Sequence, residues 1–287
     1  MVETNMTVAA SINDLQTVGV SAAILAIGEQ YSITDSFARR DTRPGERSVV
    51  FPAYGSVTAS ATTEGQEVTR SEITTSGVTL TPTTSATFRC TLTDLGRSSA
   101  PQSASDFGTL AGAAIALKRN QDAWALFAGL SQSVGSGASG LDKDSIIEGR
   151  RIIRQAGGVG TIFLCLSSVG EEQLLKLYTA VLNANIAESI KQATQVGGQL
   201  PAIYGVVPII AHGVVADTGT VTGGMYVRQA FGYSETSDWG PNGLKAVIEP
   251  RAALIGNEMV FSASYDIKEV YDTWGVRVIY GGSDVIS

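Results

Sequence analysis

The chain of 287 residues has one histidine, His212, two cysteines, Cys90 and Cys165, and little charge: Asp, Glu, Lys and Arg make up only 16%. Each shortage excludes something. A single histidine forbids a two-histidine metal site and leaves any histidine-based triad dependent on one residue. His212 lies in an Ile-Ile-Ala-His-Gly context, which reads as structural, a buried polar group finding its hydrogen bonds. Two isolated cysteines give no disulfide framework and fit a reducing compartment. No apolar run approaches the ~18 residues needed to cross a membrane; the stretch from Val18 to Ile27 is short and interrupted by Gly19 and Ser21. The first ten residues carry no positive charge, so no signal peptide is expected. Basic surplus is missing too. The net charge is −7, unlike a domain that grips nucleic acid with a basic stripe. Arg39, Arg40, Arg43 and Arg47 are diluted by Asp41 and Glu46. These, and Arg150, Arg151 and Arg154, read as solvated or paired surface arginines.

What is present is a well-covered core in the making, with hydrophobic residues at 44%, an ordinary globular share. Residues 1–48 form an arm with no core of its own, helix-compatible from Ser21 to Gln30 and closed by the Pro44-Gly45 turn signal. Such an arm needs a neighbour to lie on. Residues 49–96 are rich in Thr, Val and Ser and read as a long hairpin. Val49 to Thr63 is one strand, Glu64 to Glu72 a polar tip, and Gly77 to Leu95 the return. A lone two-stranded hairpin is marginal in water, so another surface is expected to cover it.

Residues 97–140 hold the strongest helix signal, over 103–131. Phe107, Leu110, Ala111, Ala114 and Leu117 recur at helical spacing, and the alanines keep helix propensity high. The run Ser131 to Gly140 reads as a flexible linker. Residues 141–243 alternate helix and strand: a helix from Ser145 to Gln155 capped by Asp144, a buried strand from Thr161 to Leu166, then a helix with capping-box spacing at Ser168 and Glu171. Leu200 to Val215 reads as strand, Gly-Val-Val-Pro turn and strand, and Tyr226 to Tyr233 as a further strand. Residues 244–287 return as β structure, Leu244 to Ile248 and Glu258 to Tyr280, the second a long stretch with room for breaks.

No catalytic constellation, cofactor site or metal site stands out. Gly157, Gly158 and Gly160 follow a helix and precede a strand, the reverse of a phosphate-binding loop, and read as a helix C-cap. Glu171 and Glu172 occupy a helix first turn, where the dipole favours acids. Glu64, Glu67 and Glu72 belong to a solvated tip.

The order of parts carries the functional reading. Arm, long hairpin, long helix, linker, α/β region and returning β strands together resemble the Hong Kong 97-type fold of tailed-bacteriophage major capsid proteins. Short stretches resemble that family locally as well, namely Thr63-Glu64-Gly65-Gln66 in the hairpin, Thr161 to Ser168 before a capped helix, Gln199 to Pro208, and Trp274 to Val278. The resemblance implies an α+β capsid fold with an N-terminal arm (1–48), an extended loop (49–96), a peripheral domain with a spine helix (97–140), an axial domain (141–243) and return strands (244–287). It implies a non-enzymatic subunit that assembles as hexamers and pentamers into a shell around double-stranded DNA, without sequence-specific binding. The shell would be built in the host cytoplasm and end in the virion. A portal protein, a separate scaffolding protein and a cement or decoration protein are the partners it suggests. The loop has no lysine, so a covalent crosslink from it is not expected. Glu64, Glu67, Arg70, Glu72 and Arg89, with Arg39 and Arg40, are the expected intersubunit contacts. The rival readings are a tail-tube or decoration subunit, an encapsulin-like shell protein, and an enzyme with a β-rich extension.

Overall fold

Two five-stranded sheets meet around one aromatic cluster, and at two short turns the chain passes directly from one sheet to the other. The computed structural model describes residues 18–26, 33–43, 45–55, 59, 61, 63–65, 67, 72–93, 103–182, 202–211, 213, 219–239, 243–251 and 255–281.

The first sheet is organised by its longest strand, β11 (Gly256–Glu269). One edge of β11 pairs with β4 (Thr84–Thr93) from Thr93↔Gly256 to Thr84↔Tyr265. The other pairs with β10 (Leu244–Arg251) and then β9 (Phe231–Glu235), both antiparallel. The short β1 (Ala38–Arg39) adds in parallel to β9. In the second sheet the order is β5 (Ser133–Ser136), β12 (Gly275–Gly281), β8 (Thr220–Val227), β6 (Ile162–Leu166) and β7 (Val206–Ile210). A separate two-stranded ribbon joins β2 (Val49–Tyr54) to β3 (Thr75–Leu80).

Helix α1 covers residues 18–26 and packs on α2 (Ser103–Ala125). The seam is built from small residues. A Cβ on Gly108 would strike the Gly19 carbonyl, and one on Gly112 would strike the Ala23 carbonyl and, at 2.9 Å, the Ala26 methyl. Register advances in the same direction on both helices, so they run parallel. Only glycine permits backbones this close. Helix α3 (Lys143–Gln155) starts where the Asp142 carboxylate accepts from Ser145 N at 2.6 Å. It ends in a Schellman motif: Gly158 N donates to Ile153 O at 2.9 Å and Gly157 N to Arg154 O at 3.1 Å, with Gly157 at φ 86°. Helix α4 (Ser168–Leu182) begins with the Ser167 hydroxyl accepting from Gly170 N at 3.4 Å.

The core centres on Phe37, Phe127, Tyr226 and Phe231, all essentially without solvent exposure. Phe127 stacks on Tyr226 at 5.4 Å and meets Phe231 edge-on at 5.7 Å; Tyr226 meets Phe231 edge-on at 5.2 Å. Such pairs add roughly 0.5–1.5 kcal/mol each beyond burial. Gly224 makes the room: a Cβ there would lie 2.5 Å from the Phe127 ring. The Tyr226 hydroxyl lies 2.7 Å from Ser36 Oγ, whose own proton goes to Ile33 O at 2.6 Å, so Tyr226 is the donor. Burial pushes the Tyr226 phenol far above its usual range.

Several expectations are corrected. The residues 1–48 are not a free arm throughout: α1 docks on its own chain's α2, Ile33 and Phe37 are buried, and Ile33 N donates to Asn120 Oδ1 at 3.0 Å. The hairpin ladder has six residue pairs, not about fifteen. After Leu80 the return arm breaks at Thr81-Pro82-Thr83, where Thr81 N donates to Asp266 Oδ2 at 2.7 Å, and β4 leaves for β11. The Ser-Gly run is no linker. Ser133–Ser136 pairs in parallel with β12 and buries Val134, and Gly135 at φ 82° brings backbone against Ile279 O. Asp142, not Asp144, caps α3, and at the start of α4 the Ser167 hydroxyl accepts from Gly170 N. The turn before β7 is made by Tyr204 (φ 48°) and Gly205 (φ 77°), while Val206 to Pro208 are strand. Pro208 is tolerated because β7 is an edge strand. Tyr226 to Tyr233 is two strands of different sheets, split by the 3-10 turn Arg228–Ala230; the break expected within Glu258 to Tyr280 falls at Asp272–Trp274. The boundary at residue 243 therefore does not divide the sheets, since β9 belongs to the first and β12 to the second. Residues 183–201, which include the first part of the Gln199 to Pro208 stretch, lie outside the described residues.

The helix seam yields a test. Gly112→Val should destabilise the protein by about 2 kcal/mol through overpacking and expose α1 to protease. Ala114→Val on the exposed side should change stability by less than about 0.5 kcal/mol. Urea unfolding and limited proteolysis of the purified protein read both.

Candidate functional site

The surface best suited to work is the ribbon β2–β3 with the charged segments that flank it. Its six-pair ladder buries Phe51, Ala53 and Leu80 inward and, with the loop residue Ile73, leaves Val50 and Tyr54 more than half exposed. The body grips it chiefly through its main chain. Tyr54 N donates to the Tyr271 hydroxyl at 2.8 Å, Arg40 Nη1 donates to Val50 O at 2.9 Å, and Lys268 Nζ donates to Thr79 O at 2.8 Å. The Arg40 guanidinium also lies 5.2 Å from the centre of the Phe51 ring. Tyr271 is itself held by stacking on Trp274 at 4.1 Å, and Trp274 Nε1 donates to Ala156 O at 3.1 Å. The loop is closed at its base by Gly55 N donating to Thr74 O at 2.9 Å.

The expected contact residues fall into three places. Glu64, Glu67 and Glu72 are exposed in the loop and make no ion pair among the described residues; Arg70 lies outside them. Arg39 sits where the arm enters the first sheet, paired with Asp41 at 3.0 Å and with the buried Glu235 carboxylate, which also accepts from Tyr233 OH at 2.9 Å. Burial drives the Tyr233 phenol upward, with Glu235 adding to the shift. Arg89 is on β4 rather than in the loop, paired with Glu258. Glu258 is also held by Arg251 at 2.5 Å, and its side chain is only 5% exposed.

Sequence reasoning missed Glu258, Arg251, Glu235, Tyr271 and Lys268. Strand alternation shows which side chains share a face. The β4–β11–β10 register, which sets Glu258 between Arg89 and Arg251, is not written in either strand alone.

The ribbon surface, with exposed Val50 and Tyr54 beside charged residues, is suited to contact with another surface. Among the described residues no group of three or more His, Cys, Asp and Glu is placed to hold a metal ion. His212 lies outside them. The Gly157–Gly160 stretch is the end of α3, its carbonyls taken by Arg154 at 2.9 Å (Gly158) and 2.8 Å (Gly160). Arg150 is likewise engaged by the Tyr204 carbonyl. Cys165 is fully buried, and burial pushes its thiol well above the usual value. A shallow cleft lies between Gly137–Leu141 and α4. Its Glu172 and Lys176 pair at 2.6 Å, and Gln173 is occupied by Leu141 N at 2.7 Å and Gly281 O at 2.9 Å. No helix among the described residues is long and apolar enough to cross a membrane.

The chain has an α+β fold whose likenesses among solved structures are viral shell subunits. The chain is similar to the capsid structure of the cyanophage P-SCSP1u, with a TM-score of 0.58 over 88% of this chain and 89% of that one, at 13% identity. It is equally similar to a chain of the mature capsid of bacteriophage PhiM1, at a TM-score of 0.58, 12% identity, and 88% and 87% coverage. A virus-like particle from Pyrococcus furiosus matches at a TM-score of 0.56 over 91% of this chain and 98% of that one, at 8% identity. No family model matches the sequence, and no curated protein matches it. The fold is that of phage capsid subunits.

The Glu258 site predicts an asymmetry. Replacing both Arg89 and Arg251 with alanine leaves a buried carboxylate without a counter-ion and should cost about 3 kcal/mol. Glu258→Ala leaves two arginines that are at least half exposed, which water can solvate, and should cost nearer ~1 kcal/mol. Guanidinium unfolding of the unassembled variants measures both.

Proposed function

We propose that this chain is the major capsid protein of a tailed bacteriophage, a non-enzymatic subunit that assembles into the closed head shell around the genome. The observation that carries the reading is the whole-length likeness to capsid chains, 88% of this chain matched to each of two phage capsids. The physical logic agrees with it. The ribbon exposes Val50 and Tyr54 and a loop whose acids have no counter-ion among the described residues, a surface unfinished in an isolated subunit. Many modest contacts of this kind add up in a closed lattice through multivalency, and closed symmetry covers the edges an isolated subunit leaves open.

In the same reading, subunits form hexamers and pentamers, with Glu64, Glu67, Arg70, Glu72, Arg39 and Arg40 at subunit contacts. Arg89 contributes its exposed guanidinium while anchored on Glu258. A separate scaffolding protein, a portal and a cement protein are the expected partners, and assembly takes place in the host cytoplasm before the shell enters the virion. The Hong Kong 97-type division into extended loop, peripheral and axial parts is part of the proposal. The second sheet with α3 and α4 is the axial part, and the first sheet with α2 the peripheral part.

The likeness to a virus-like particle from Pyrococcus furiosus favours one other reading, a shell that does not serve as a phage head. A tail tube fits less well, because α2, α3 and α4 make up a large part of the described chain.

Electron microscopy of the protein, produced with the products of its neighbouring reading frames, is the test. Uniform closed particles that contain DNA after infection support the phage head. Closed particles without DNA favour the second reading, and filaments or stacked rings overturn both. Replacing residues 60–72 by a short Gly-Ser link keeps the ladder and the Gly55–Thr74 bond. That variant should stay folded by circular dichroism and lose the ability to close shells.

A further inference from the structure

The longest free strand edge among the described residues belongs to β4. Its ten residues pair with β11 on one side, and no strand lies on the other among the described residues. A bare edge is a template for pairing with another chain, and proteins guard it with proline, charge or shortness. The other outer strands of the two large sheets are guarded. β10 carries Pro250 and the exposed Lys245, Glu249 and Arg251; β7 carries Pro208; β5 has four residues and β1 two. β4 has no proline, and its one charge, Arg89, is drawn across the sheet to Glu258 on β11. Its core-facing side is unfinished as well. Met259 and Phe261 of β11 are 1% exposed, whereas Cys90 and Phe88, directly opposite them on β4, are only partly buried. The exposure therefore lies on the free-edge side, where a further strand would cover it.

We infer that β4 pairs antiparallel with β4 of a second copy of this chain, Phe88 on Phe88, and so joins two first sheets into one. The inference rests on the shell reading and adds a two-fold contact to it. The strand is self-complementary. Two registers pair all but one residue of β4 with the core-facing sides in phase. One sets Arg89 against Arg89, and like charges directly opposite are unfavourable. The other sets Phe88 against Phe88, Ala86 against Cys90 and Thr87 against Arg89. It continues the core-facing row of each sheet and leaves Arg89 opposite a neutral residue. A slip of one residue between these two puts core-facing side chains of one copy beside solvent-facing ones of the other. The two-fold axis of such a pair stands normal to the sheet, so α2 of both copies lies on the same side. A shell requires this, because every subunit must present the same side inward. The contact is isologous: each copy gives and receives the same groups. A foreign strand is the competing occupant, and nothing in its favour matches the self-complementarity of the β4 sequence.

A cross-link decides it. Ala86→Cys in the full chain places a new thiol opposite the native Cys90 of the second copy, within reach of a disulfide. Particles of this variant, treated with diamide as oxidant, should run as a covalent dimer without reductant, and peptide mapping should give the 86–90 link. Wild-type particles, and Ala86→Cys with Cys90→Ser, should stay monomeric on the same gel. Thr87 gives a second reading that leaves the core untouched. In the cross-linking background, Thr87→Lys faces Arg89 of the second copy and should cut dimer yield by about fivefold, while Thr87→Glu should keep or raise it. Circular dichroism and melting temperature of the dispersed chains confirm that each variant folds. Should Ala86→Cys fail to assemble, Thr87→Lys and Thr87→Glu in the otherwise wild-type chain decide by particle yield, with the same expected order. Equal yields from the two overturn the pairing. Closed particles without the 86–90 link overturn it too, as does a dimer joined Cys90 to Cys90. If the β4 amides of those unlinked particles are nevertheless protected from hydrogen exchange relative to the dispersed chain, the edge belongs to a foreign strand. A wild-type chain that forms no closed particle overturns the shell reading, and the two-fold contact with it if the dispersed Ala86→Cys chain gives no dimer either.

Discussion

The structure depends on the packing of Phe37, Phe127, Tyr226 and Phe231 at the place where the two sheets meet. Tyr226 lies near the end of β8 in the second sheet and Phe231 opens β9 in the first, with the 3-10 turn Arg228–Ala230 between them. The second crossing runs beside the first. Val270 N and Tyr271 N both donate to Ala230 O, at 2.8 and 3.1 Å. The two crossings are thus bonded to each other next to the same rings. Phe127, delivered by the end of the long helix, and Phe37, delivered by the arm, complete the cluster. Distant stretches of chain meet there. Truncating one such ring in a close-packed core costs about 3–5 kcal/mol, a large part of the stability of an ordinary domain.

Around that joint, stability and interaction are assigned to different regions. In the interior the Tyr280 hydroxyl accepts from Ser167 N and donates to Ser167 Oγ, both at 3.0 Å. The buried carboxylates Glu235 and Glu258 carry arginines that reach to the surface. The ribbon, by contrast, has a thin core of Phe51, Ala53 and Leu80. Its position is set by three body side chains, Arg40, Tyr271 and Lys268, that bond its backbone. Two charged hydrogen bonds and one neutral one, each contributing about 1–3 kcal/mol, are enough to orient such an element and leave its outer side chains uncommitted.

The sequence is legible where the signal is local. The helix signal of Phe107 to Leu117 identifies α2, although its buried face runs through Ala111, Ile115 and Ala116 and leaves Leu110 and Ala114 exposed, and the unbroken apolar run identifies β6, buried on nearly every residue. It misleads where pairing partners decide. A Ser-Gly run reads as a linker by composition, yet Val134 has a core position to fill and Gly135 supplies a left-handed conformation, so β12 makes it a strand. Thr84 to Thr93 reads as the arm of a hairpin because alternation does not say which strand lies opposite. The Gly19–Gly108 and Ala23–Gly112 seam leaves no stripe of large apolar residues in the sequence, because what it contributes is close approach rather than bulk. At the working surface, the exposed acids of the loop are legible, whereas Glu258 between two arginines requires a three-strand register.

A ribbon held by its main chain has a further consequence. Folding places few demands on the identity of its outward residues, since the groups that hold it are peptide carbonyls and amides common to every sequence. Selection can therefore rewrite Val50, Tyr54, Ile73 and the loop acids while the domain keeps its shape. This separates the evolution of who binds whom from the evolution of how the subunit folds. The 8–13% identity to shells of the same fold is the divergence such an arrangement tolerates. The same property makes the ribbon a natural place to graft foreign peptide segments onto the domain.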